Sequence, residues 1–309
     1  MNDITTGQHP SAVASTVAPA LGKLAHSVSL VCYGYNEEES IADFFNKAVD
    51  TLGAVVTDYE IVFIDDCSTD RTWEMAQGFV RDNPRIRAYR NDRNRNIGYS
   101  FKRGVSLAEK EYLFWQTIDW SYDLADLRIF LELLEHFGVV VGVRPVPIRL
   151  LAYIPVVRSI YRVRTRSDNF IRAMVSLANY YVLRILFGMK VHDFQNIQFH
   201  RTKVLQSFEL RGESSFLGVE MMIRARSRGL DLIEVPIRFI PRAKGVSKGI
   251  RLAAIWKSCR DIGRNWLAWG WRFRLEGRGS HGRIYRLMEP AFLKEEVIVL
   301  CASLFKRYS

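Results

Sequence analysis

The chain has 309 residues, of which 48% are hydrophobic and 25% are charged. Such a chain can bury one substantial core and a small additional unit, which excludes disorder as its main state. Its 44 Lys and Arg residues outnumber its 33 Asp and Glu residues, giving a formal charge of +11. This excess indicates a polyanionic partner: nucleic acid, a phosphate-bearing substrate or an anionic membrane.

The sequence contains no predicted membrane-spanning segment. Its longest apolar runs, 137–143 and 297–305, fall short of the roughly 18–20 residues that cross a bilayer. Residues 1–27 have no basic region followed by an apolar stretch, so we predict a disordered leader rather than a signal peptide. The four cysteines are far apart and form no CxxC pair, which argues against a zinc site and suits a reducing cytoplasm.

From about residue 28 the sequence alternates short β-rich runs with amphipathic stretches, the pattern of an α/β domain with a mostly parallel sheet. The predicted strands are Val28–Tyr33, Glu60–Ile64, Ile86–Tyr89, Tyr112–Thr117 and Val139–Val143. The predicted helices are Glu38–Leu52, Thr72–Asp82, Ser100–Glu109 and Leu124–Phe137. Ser68 or Thr69 and Asp123 precede two of these helices and are predicted to cap them.

Three of the predicted strands end in polar clusters. These clusters are Tyr35-Asn36-Glu37, Asp65-Asp66-Cys67-Ser68 and Thr117-Ile118-Asp119-Trp120-Ser121. Because ligands bind at the carboxyl ends of the strands in such sheets, the clusters predict a ligand site at one sheet edge. Turns are also rich in Asp, Asn and Ser for structural reasons, which would explain any one cluster taken alone.

Together and in this order, the clusters resemble the motifs of family 2 glycosyltransferases of the GT-A fold, in the polyprenyl-phosphate branch that includes dolichol-phosphate mannosyltransferases. SLVCYGYNEEES, IVFIDDCSTDRT and NIGYSFKRG are similar to the family's PxYNExxN turn, its VVDDGSTDGT motif and its Asn-x-Gly segment. VGVR, VHDFQNIQFHRTKVL and IEVPIRFIPRAKGVSKG are similar to later motifs of that branch. The resemblance runs from about Val28 to Lys248, and it implies a Rossmann-like nucleotide-sugar-binding domain over residues 28–250, with an interfacial helical insertion near 145–190.

The resemblance implies that the strand-end clusters bind a nucleotide sugar. Tyr35 would lie against the nucleobase, and Glu37 with Asp65 or Asp66 would accept hydrogen bonds from the base and the ribose. Asp119 would hold Mg²⁺ or Mn²⁺ against the diphosphate, since these ions prefer oxygen ligands. The hydroxyl of Ser121 would be a further, weak metal ligand.

The sequence departs from the family at this predicted metal site. The family's DAD triplet falls on Thr117-Ile118-Asp119, so the first carboxylate is missing. Metal binding is therefore expected to be weaker than usual, and a non-catalytic family member is a second hypothesis. Tyr33 and Cys67 also stand where the family usually has Pro and Gly.

Basic residues complete the predicted site. Arg242 and Lys248 would clamp the diphosphate, the first as a bidentate fork and the second as a point charge. Asp193 would orient the sugar or the loop, and would become the candidate base if the acceptor were a hydroxyl. The residues predicted to bind an acceptor phosphate are Arg144, Arg158 and Ser247.

The predicted reaction is an inverting transfer of a sugar from GDP-mannose or a UDP-hexose to a polyprenyl phosphate. A phosphate monoester is already anionic at pH 7, so its attack on the anomeric carbon needs no strong general base. Transfer to a hydroxyl of a glycan or glycolipid, a non-catalytic scaffold and a nucleic-acid-binding protein are the alternatives. Nucleic-acid binding would leave the acidic clusters unexplained, because carboxylates repel phosphates.

Two basic segments carry more than the whole excess charge. Residues 144–190 have a net charge of +8 and residues 242–286 of +10, so against the total of +11 the rest of the chain carries −7. Aromatic side chains interrupt the second segment, a composition that suits the headgroup layer of a membrane: Trp256, Trp266, Trp269, Trp271 and Phe273. We predict that residues 251–309 associate with a membrane and that the protein is cytoplasmic, bound to the membrane's inner face. Core-facing helices or a dimer interface would also explain the pattern, and the oligomeric state stays open.

Overall fold

The computed structural model describes residues 22–144, 170–194, 196–238, 240, 252–276 and 281–287. Within these residues, eight strands form one sheet in the order β3-β2-β1-β4-β6-β5-β7-β8. The strands are β1 Leu24–Gly34, β2 Val56–Asp65, β3 Ile86–Arg90, β4 Tyr112–Trp115, β5 Val139–Val143, β6 Ile197–Arg201, β7 Leu232–Pro236 and β8 Ile284–Arg286. β6 runs antiparallel to both β4 and β5, whereas the other pairs are parallel. The predicted α/β class with a mostly parallel sheet is confirmed.

Helices cover both faces of this sheet. They are α1 Ile41–Val55, α2 Thr72–Asp82, α3 Asn96–Leu107, α4 Leu127–Leu133, α5 Phe170–Phe187, α6 Thr202–Gln206, α7 Phe216–Ser227, α8 Leu252–Asn265 and α9 Trp271–Leu275. A π-helical turn, Trp266–Gly270, joins α8 to α9. Residues 252–275 thus form one continuous helical segment, the tryptophan-rich helix. In the described residues, no helix is long and apolar enough to span a bilayer.

The central strands are apolar on both faces, because helices cover both sides of the sheet. Their sequences are therefore continuous hydrophobic runs. Successive side chains of β1 point to opposite sides. Leu30 and Cys32 pack in the layer that contains Phe45 of α1, whereas Val31 packs in the layer that contains Phe101 of α3. The predicted site therefore lies at the edge of a sheet that is buried between two apolar layers.

The strand register brings the polar clusters side by side. Gly34 pairs with Asp65, and the ladder continues beyond the strands through the Asp66 amide, which donates to the Gly34 carbonyl at 2.9 Å. On the other side of β1, the Gln116 amide donates to the Val31 carbonyl at 3.2 Å. The prediction that the clusters share one sheet edge is confirmed.

The predicted helix caps are wrong. α2 begins without a side-chain cap from Ser68 or Thr69, because both side chains bond to the turn that follows β1. α4 begins at residue 127, and Asp123 instead accepts the Ala125 amide at 3.2 Å and pairs with Arg238. In both places, contacts between distant turns replace the local capping that the sequence suggested.

The second basic segment contributes to the fold itself. β8 pairs with β7, so residues 284–286 extend the main sheet. In the tryptophan-rich helix, Trp266 donates from Nε1 to the Leu186 carbonyl at 3.3 Å, and the Trp269 ring lies 5.7 Å from the Phe187 ring. The predicted boundary at residue 250 stays a prediction. Residues 186 and 187, before it, contact Trp266 and Trp269, after it.

Candidate active site

The turns that follow β1 and β2 hold each other through reciprocal hydrogen bonds. The Asn36 amide donates to Ser68 Oγ at 3.0 Å, and the Thr69 amide donates to Asn36 Oδ1 at 2.9 Å. The Glu37 amide donates to Thr72 Oγ1 at 2.8 Å, which fixes the backbone beside Tyr35. The predicted nucleobase and ribose residues therefore lie on two turns that hydrogen bonds hold together. We call these two turns, which follow β1 and β2, the braced double turn.

Asp66 serves as the acceptor for the segment that begins α3. Its Oδ1 accepts from Asn91 Nδ2 at 2.7 Å, from the Arg95 amide at 2.8 Å and from Ser100 Oγ at 3.1 Å. Its Oδ2 accepts the Asn96 amide at 2.9 Å. Sequence analysis missed this framework role, although the following Asn-x-Gly segment was singled out and begins at Asn96.

Asp65, the alternative ribose ligand, is fully buried and has a cationic partner. Arg90 Nε lies 3.1 Å from its Oδ2, and the Ser68 amide donates to both of its oxygens. Burial raises the pKa of Asp65, while Ser68 and Arg90 oppose the increase. The two adjacent carboxylates thus differ, because Asp65 is offset by a guanidinium and Asp66 is held by neutral donors.

Backbone strain is concentrated at this edge. Four non-glycine residues have positive φ: Asn36 at 55°, Cys67 at 63°, Asn96 at 65° and Trp120 at 52°. Asparagine tolerates this region, but cysteine and tryptophan rarely adopt it. Such strain persists where the surrounding structure imposes it, and it is concentrated at functional sites.

Asp119 lies in a tight turn after β4. Ser121 Oγ donates to Asp119 Oδ1 at 2.6 Å, and the Ser121 amide donates to Thr117 Oγ1 at 3.2 Å. Burial, together with the charge of Asp119, raises the pKa of Tyr33 to about 12. The Ile118 side chain lies 3.4 Å from the position of a Cβ at Gly34, so the turn is beside the end of β1. Thr117, which replaces the family's first carboxylate, shapes the turn that presents Asp119.

The donor set at Asp119 fits a metal ion that is held mainly by its substrate. Among the described residues, no three His, Cys, Asp or Glu side chains form a group that could bind a metal. Mg²⁺ and Mn²⁺ sites often use one or two carboxylates with the oxygens of a diphosphate. Asp119, with the Ser121 hydroxyl already bonded to it, supplies one such carboxylate.

Arg144 and Asp193, which were predicted to act separately, form a bidentate ion pair. Nε of Arg144 lies 2.6 Å from Oδ2 of Asp193, and Nη2 lies 2.9 Å from Oδ1. Both side chains are largely buried, at 12% and 3% exposure. Burial lowers the pKa of Arg144, but the Asp193 carboxylate outweighs this and raises it overall. Phe199 of β6 pairs with Phe114 of β4 and with Val140 of β5, so the ion pair and the Asp119 turn lie at the same edge of the sheet.

A row of buried polar side chains on β6 leads to this pair. Gln198 Nε2 donates to Asn196 Oδ1 at 2.9 Å, and Asn196 Nδ2 donates to the Asp193 carbonyl. His200 Nε2 lies 3.2 Å from Gln198 Oε1, and burial lowers the pKa of His200 to about 3. His200 is therefore neutral, and the row fixes the backbone of Asp193 without adding charge.

Glu234 of β7 braces the same segment from the other side. Its carboxylate accepts the His192 amide at 2.6 Å and contacts His192 Nδ1 at 2.9 Å and Arg286 Nε at 3.1 Å. Arg286 lies in β8, a strand of the main sheet within the segment 251–309 that was predicted to be helical and membrane-associating. Four of the predicted site residues lie outside the described residues, and their roles stay predictions: Arg158, Arg242, Ser247 and Lys248.

Comparison with known proteins shows which family this part of the chain matches. Residues 29–179 match the family model described as glycosyl transferase family 2. The match covers slightly less than half of the chain and identifies this part of it as a family 2 glycosyltransferase domain. The predicted family and enzyme class, a glycosyltransferase, are confirmed at this level.

Two curated relatives of this chain carry names that mention polyprenyl phosphates. A dolichol-phosphate mannosyltransferase from Pyrococcus furiosus is 25% identical over 228 residues, covering 72% of this chain and 58% of the relative. An undecaprenyl-phosphate mannosyltransferase from Micrococcus luteus is 26% identical over 221 residues, covering 69% and 84%. The match spans less than two thirds of the length of the first relative.

A solved structure confirms the GT-A fold of this chain. Glucosyl-3-phosphoglycerate synthase from Mycobacterium tuberculosis, in complex with UDP, superimposes with a TM-score of 0.51. It is 14% identical in sequence, and the match covers 77% of this chain and 80% of that one. At this identity the likeness concerns the fold alone.

Proposed function

We propose that the protein transfers a sugar from a nucleotide sugar, GDP-mannose or a UDP-hexose, to a polyprenyl phosphate with inversion at the anomeric carbon. The observation that carries the proposal is that the strand register brings the braced double turn, the Asp119 turn and the Arg144–Asp193 pair to the same edge of the sheet. The names of the two curated relatives support a polyprenyl-phosphate acceptor.

The donor would bind along the double turn. Tyr35 would lie against the base, while Glu37 and Asp65 or Asp66 would accept hydrogen bonds from base and ribose. Asp66 already accepts four hydrogen bonds from the protein, so its contribution would include holding the start of α3 against the nucleotide. Rigid turns favour transfer because the orientation of the donor is set before the reaction begins.

Asp119 would hold Mg²⁺ or Mn²⁺ beside the diphosphate, with Ser121 as a further oxygen. When bound, the ion neutralises the charge that develops on the departing nucleoside diphosphate. The turn fixes Asp119 through Thr117 and Ser121, so the carboxylate needs no large rearrangement to meet its ligand. Arg242 and Lys248 would supply the remaining positive charge at the diphosphate.

The Arg144–Asp193 pair favours a phosphate acceptor over a hydroxyl acceptor. A hydroxyl nucleophile needs a general base within hydrogen-bond reach. Both Asp193 oxygens accept hydrogen bonds from the Arg144 guanidinium, which orients the carboxylate away from that task. Asp193 would instead fix the guanidinium fork, so that Arg144, with Arg158 and Ser247, binds an acceptor phosphate that is already anionic.

The acceptor's lipid tail would remain in the bilayer while its phosphate reaches the site. We therefore propose that the protein associates peripherally with the inner face of the membrane.

Direct transfer assays would test the proposed function. Purified protein with Mn²⁺ would be offered labelled GDP-mannose and UDP-hexoses, together with either undecaprenyl phosphate or the same lipid ending in a hydroxyl. We expect label to enter the lipid fraction with the phosphate acceptor. Transfer to the hydroxyl lipid alone would favour Asp193 as the base, and donor binding without any transfer would favour the non-catalytic hypothesis.

A further inference from the structure

The loop between α5 and β6 is held by its neighbours at successive residues. Arg286 donates from Nη2 to the Lys190 carbonyl at 2.5 Å, and the Tyr180 hydroxyl donates to the Val191 carbonyl at 3.3 Å. These bonds come from β8 on one side and from α5 on the other. The backbone that carries the next residue, His192, is therefore fixed before any ligand binds.

A buried carboxylate orients the ring of His192. Glu234 of β7 is 1% exposed, and its Oε1 accepts the His192 amide at 2.6 Å while its Oε2 lies 2.9 Å from Nδ1. A carboxylate can only accept hydrogen bonds, so Nδ1 carries the hydrogen in this contact. The contact fixes both the direction of the ring and its tautomer, as a carboxylate does for histidines that bind metals or substrates.

The other ring nitrogen of His192 is open. The side chain is 52% exposed, although both of its neighbours in sequence, Val191 and Asp193, are buried. Among the described residues, Nε2 has no hydrogen-bond partner. Nε2 therefore accepts a hydrogen bond from outside the protein when the ring is neutral and donates one when the ring is protonated.

The charges around this nitrogen cancel in pairs. Arg144 is bonded to Asp193, and Arg286 lies 3.1 Å from Glu234. His192 directly precedes Asp193, so a phosphate bound to Arg144 would lie about one side-chain length from the His192 ring. A protonated ring would add to this balanced set a positive charge that attracts an anion.

Other titratable and charged side chains lie around the loop, on the elements packed against it. They are Tyr180 and Arg184 of α5, Arg226 of α7, Arg274 of the tryptophan-rich helix and Lys190 of the loop itself. Tyrosine, arginine and lysine side chains ordinarily keep their charge state through neutral pH, whereas histidine changes its charge there. A pH dependence of anion binding near neutrality would therefore report on the histidine.

We propose that protonated His192 binds the phosphate of the acceptor by donating a hydrogen bond from Nε2. Glu234 compensates the positive charge at Nδ1, and Arg144 binds the same phosphate with the N–H groups that Asp193 does not use. A bound phosphate dianion favours the protonated ring, so this contribution is present at lower pH and is lost as the pH rises. The inference rests on the proposed function, to which it adds an acceptor-binding residue that makes phosphate recognition depend on pH.

Acceptor kinetics over a series of pH values would test this role. The full chain would transfer sugar to a short-chain, detergent-dispersed polyprenyl phosphate above about pH 6.5, where the phosphate is mostly a dianion. We expect the wild-type KM for the acceptor to rise about tenfold with pH, and the KM of H192Q to be high at every pH. H192R, which carries a permanent cation, should have a low KM that does not change with pH. H136Q, at an exposed histidine near the amino end of the sheet, is the matched control and should keep the wild-type profile.

The outcomes separate this role from a structural one and from the proposed function. Thermal melting establishes that each variant folds. The same rise of KM in H192Q as in the wild type would overturn the proposal, as would equally high values in H192Q and H192R, since a structural role would not be rescued by a cation. If the wild type transferred no sugar, calorimetric binding of the same lipid phosphate would decide. Binding that weakens with pH in the wild type and not in H192Q would contradict the proposed function and leave the His192 site standing, whereas equal profiles would overturn the site.

Discussion

The two ends of the sheet use carboxylates in different ways. At the amino end, side-chain cations offset them: Arg87 lies 2.6 Å from Glu60, and Lys110 lies 2.8 Å from Asp58. At the carboxyl end the partners are mixed, because Arg90 pairs with Asp65 and Arg144 with Asp193, whereas Asp66 accepts from neutral amides and a hydroxyl.

The two ends therefore differ in Asp66, and not in every acidic residue of the carboxyl end. A carboxylate paired with a cation contributes to stability, but its charge is largely cancelled at a distance. A carboxylate held by neutral donors keeps its negative charge and remains able to attract a cation. The carboxyl end, where the candidate active site lies, therefore combines both kinds of carboxylate.

The largest effect is expected from D119N. Loss of this negative charge should lower sugar transfer by about 10²-fold or more, because the proposed metal and leaving group would lose their carboxylate. The matched control is D58N, the same chemical change at the amino end of the sheet, which should leave transfer within about twofold of the wild type. Equal losses in the two variants, measured as kcat/KM with Mn²⁺, would refute the functional distinction between the ends.

The next effect is expected from D66N, measured as the free energy of unfolding in urea. The amide nitrogen that replaces one oxygen cannot accept a hydrogen bond, so buried donors of the α3 segment would lose their partner. The expected destabilisation is about 2 kcal/mol. The loss should be nearly independent of salt, because the partners of Asp66 are neutral. A strong salt dependence would show that a cation offsets Asp66 after all.

The sequence predicted the sheet and the location of the strand-end clusters because both depend on local patterns. The runs over 86–89 and 139–143 are apolar enough to identify β3 and β5 nearly to the residue. The motifs then assigned Asp119 to a turn after β4, where the structure has it.

The remaining features depend on contacts between distant segments. Arg144 and Asp193 are 49 residues apart, and no periodicity links them. The partition of the tryptophans between packing and exposure depends on Phe187, which lies about 80 residues earlier than Trp269. The capping of α2 failed for the same reason, since Ser68 bonds to Asn36 across two strands.

A smaller effect is expected from C67G in the strained turn at the carboxyl end. Cys67 has φ of 63°, where glycine avoids the steric cost that other residues pay. The relief exceeds the added chain entropy of glycine, so stability should increase by about 0.5–1 kcal/mol. C32G in β1 is the contrasting variant and should destabilise, because Cys32 is a fully buried core residue. A loss of stability in C67G would mean that the cysteine side chain supports the turn.

The smallest effect concerns His26 at the amino end, which bridges two carboxylates. Nδ1 lies 3.0 Å from Glu111 Oε2, and Nε2 lies 2.8 Å from Glu135 Oε1. Burial lowers the pKa of His26, but the two glutamates outweigh this and raise it above its ordinary 6.5. The protonated bridge therefore contributes fully below pH 6.5 and is lost as the pH rises through the higher folded-state pKa.

Since both glutamates are about half exposed, the contribution should be about 0.2–1 kcal/mol. Urea unfolding at a series of pH values would show it as stability that declines above pH 6.5 in the wild type and not in H26Q. H136Q is the matched control, because His136 is an exposed histidine near the same end of the sheet. If H26Q retained the decline, the amino-end bridge would be dispensable, and the cation-paired carboxylates there would stabilise less than their geometry indicates.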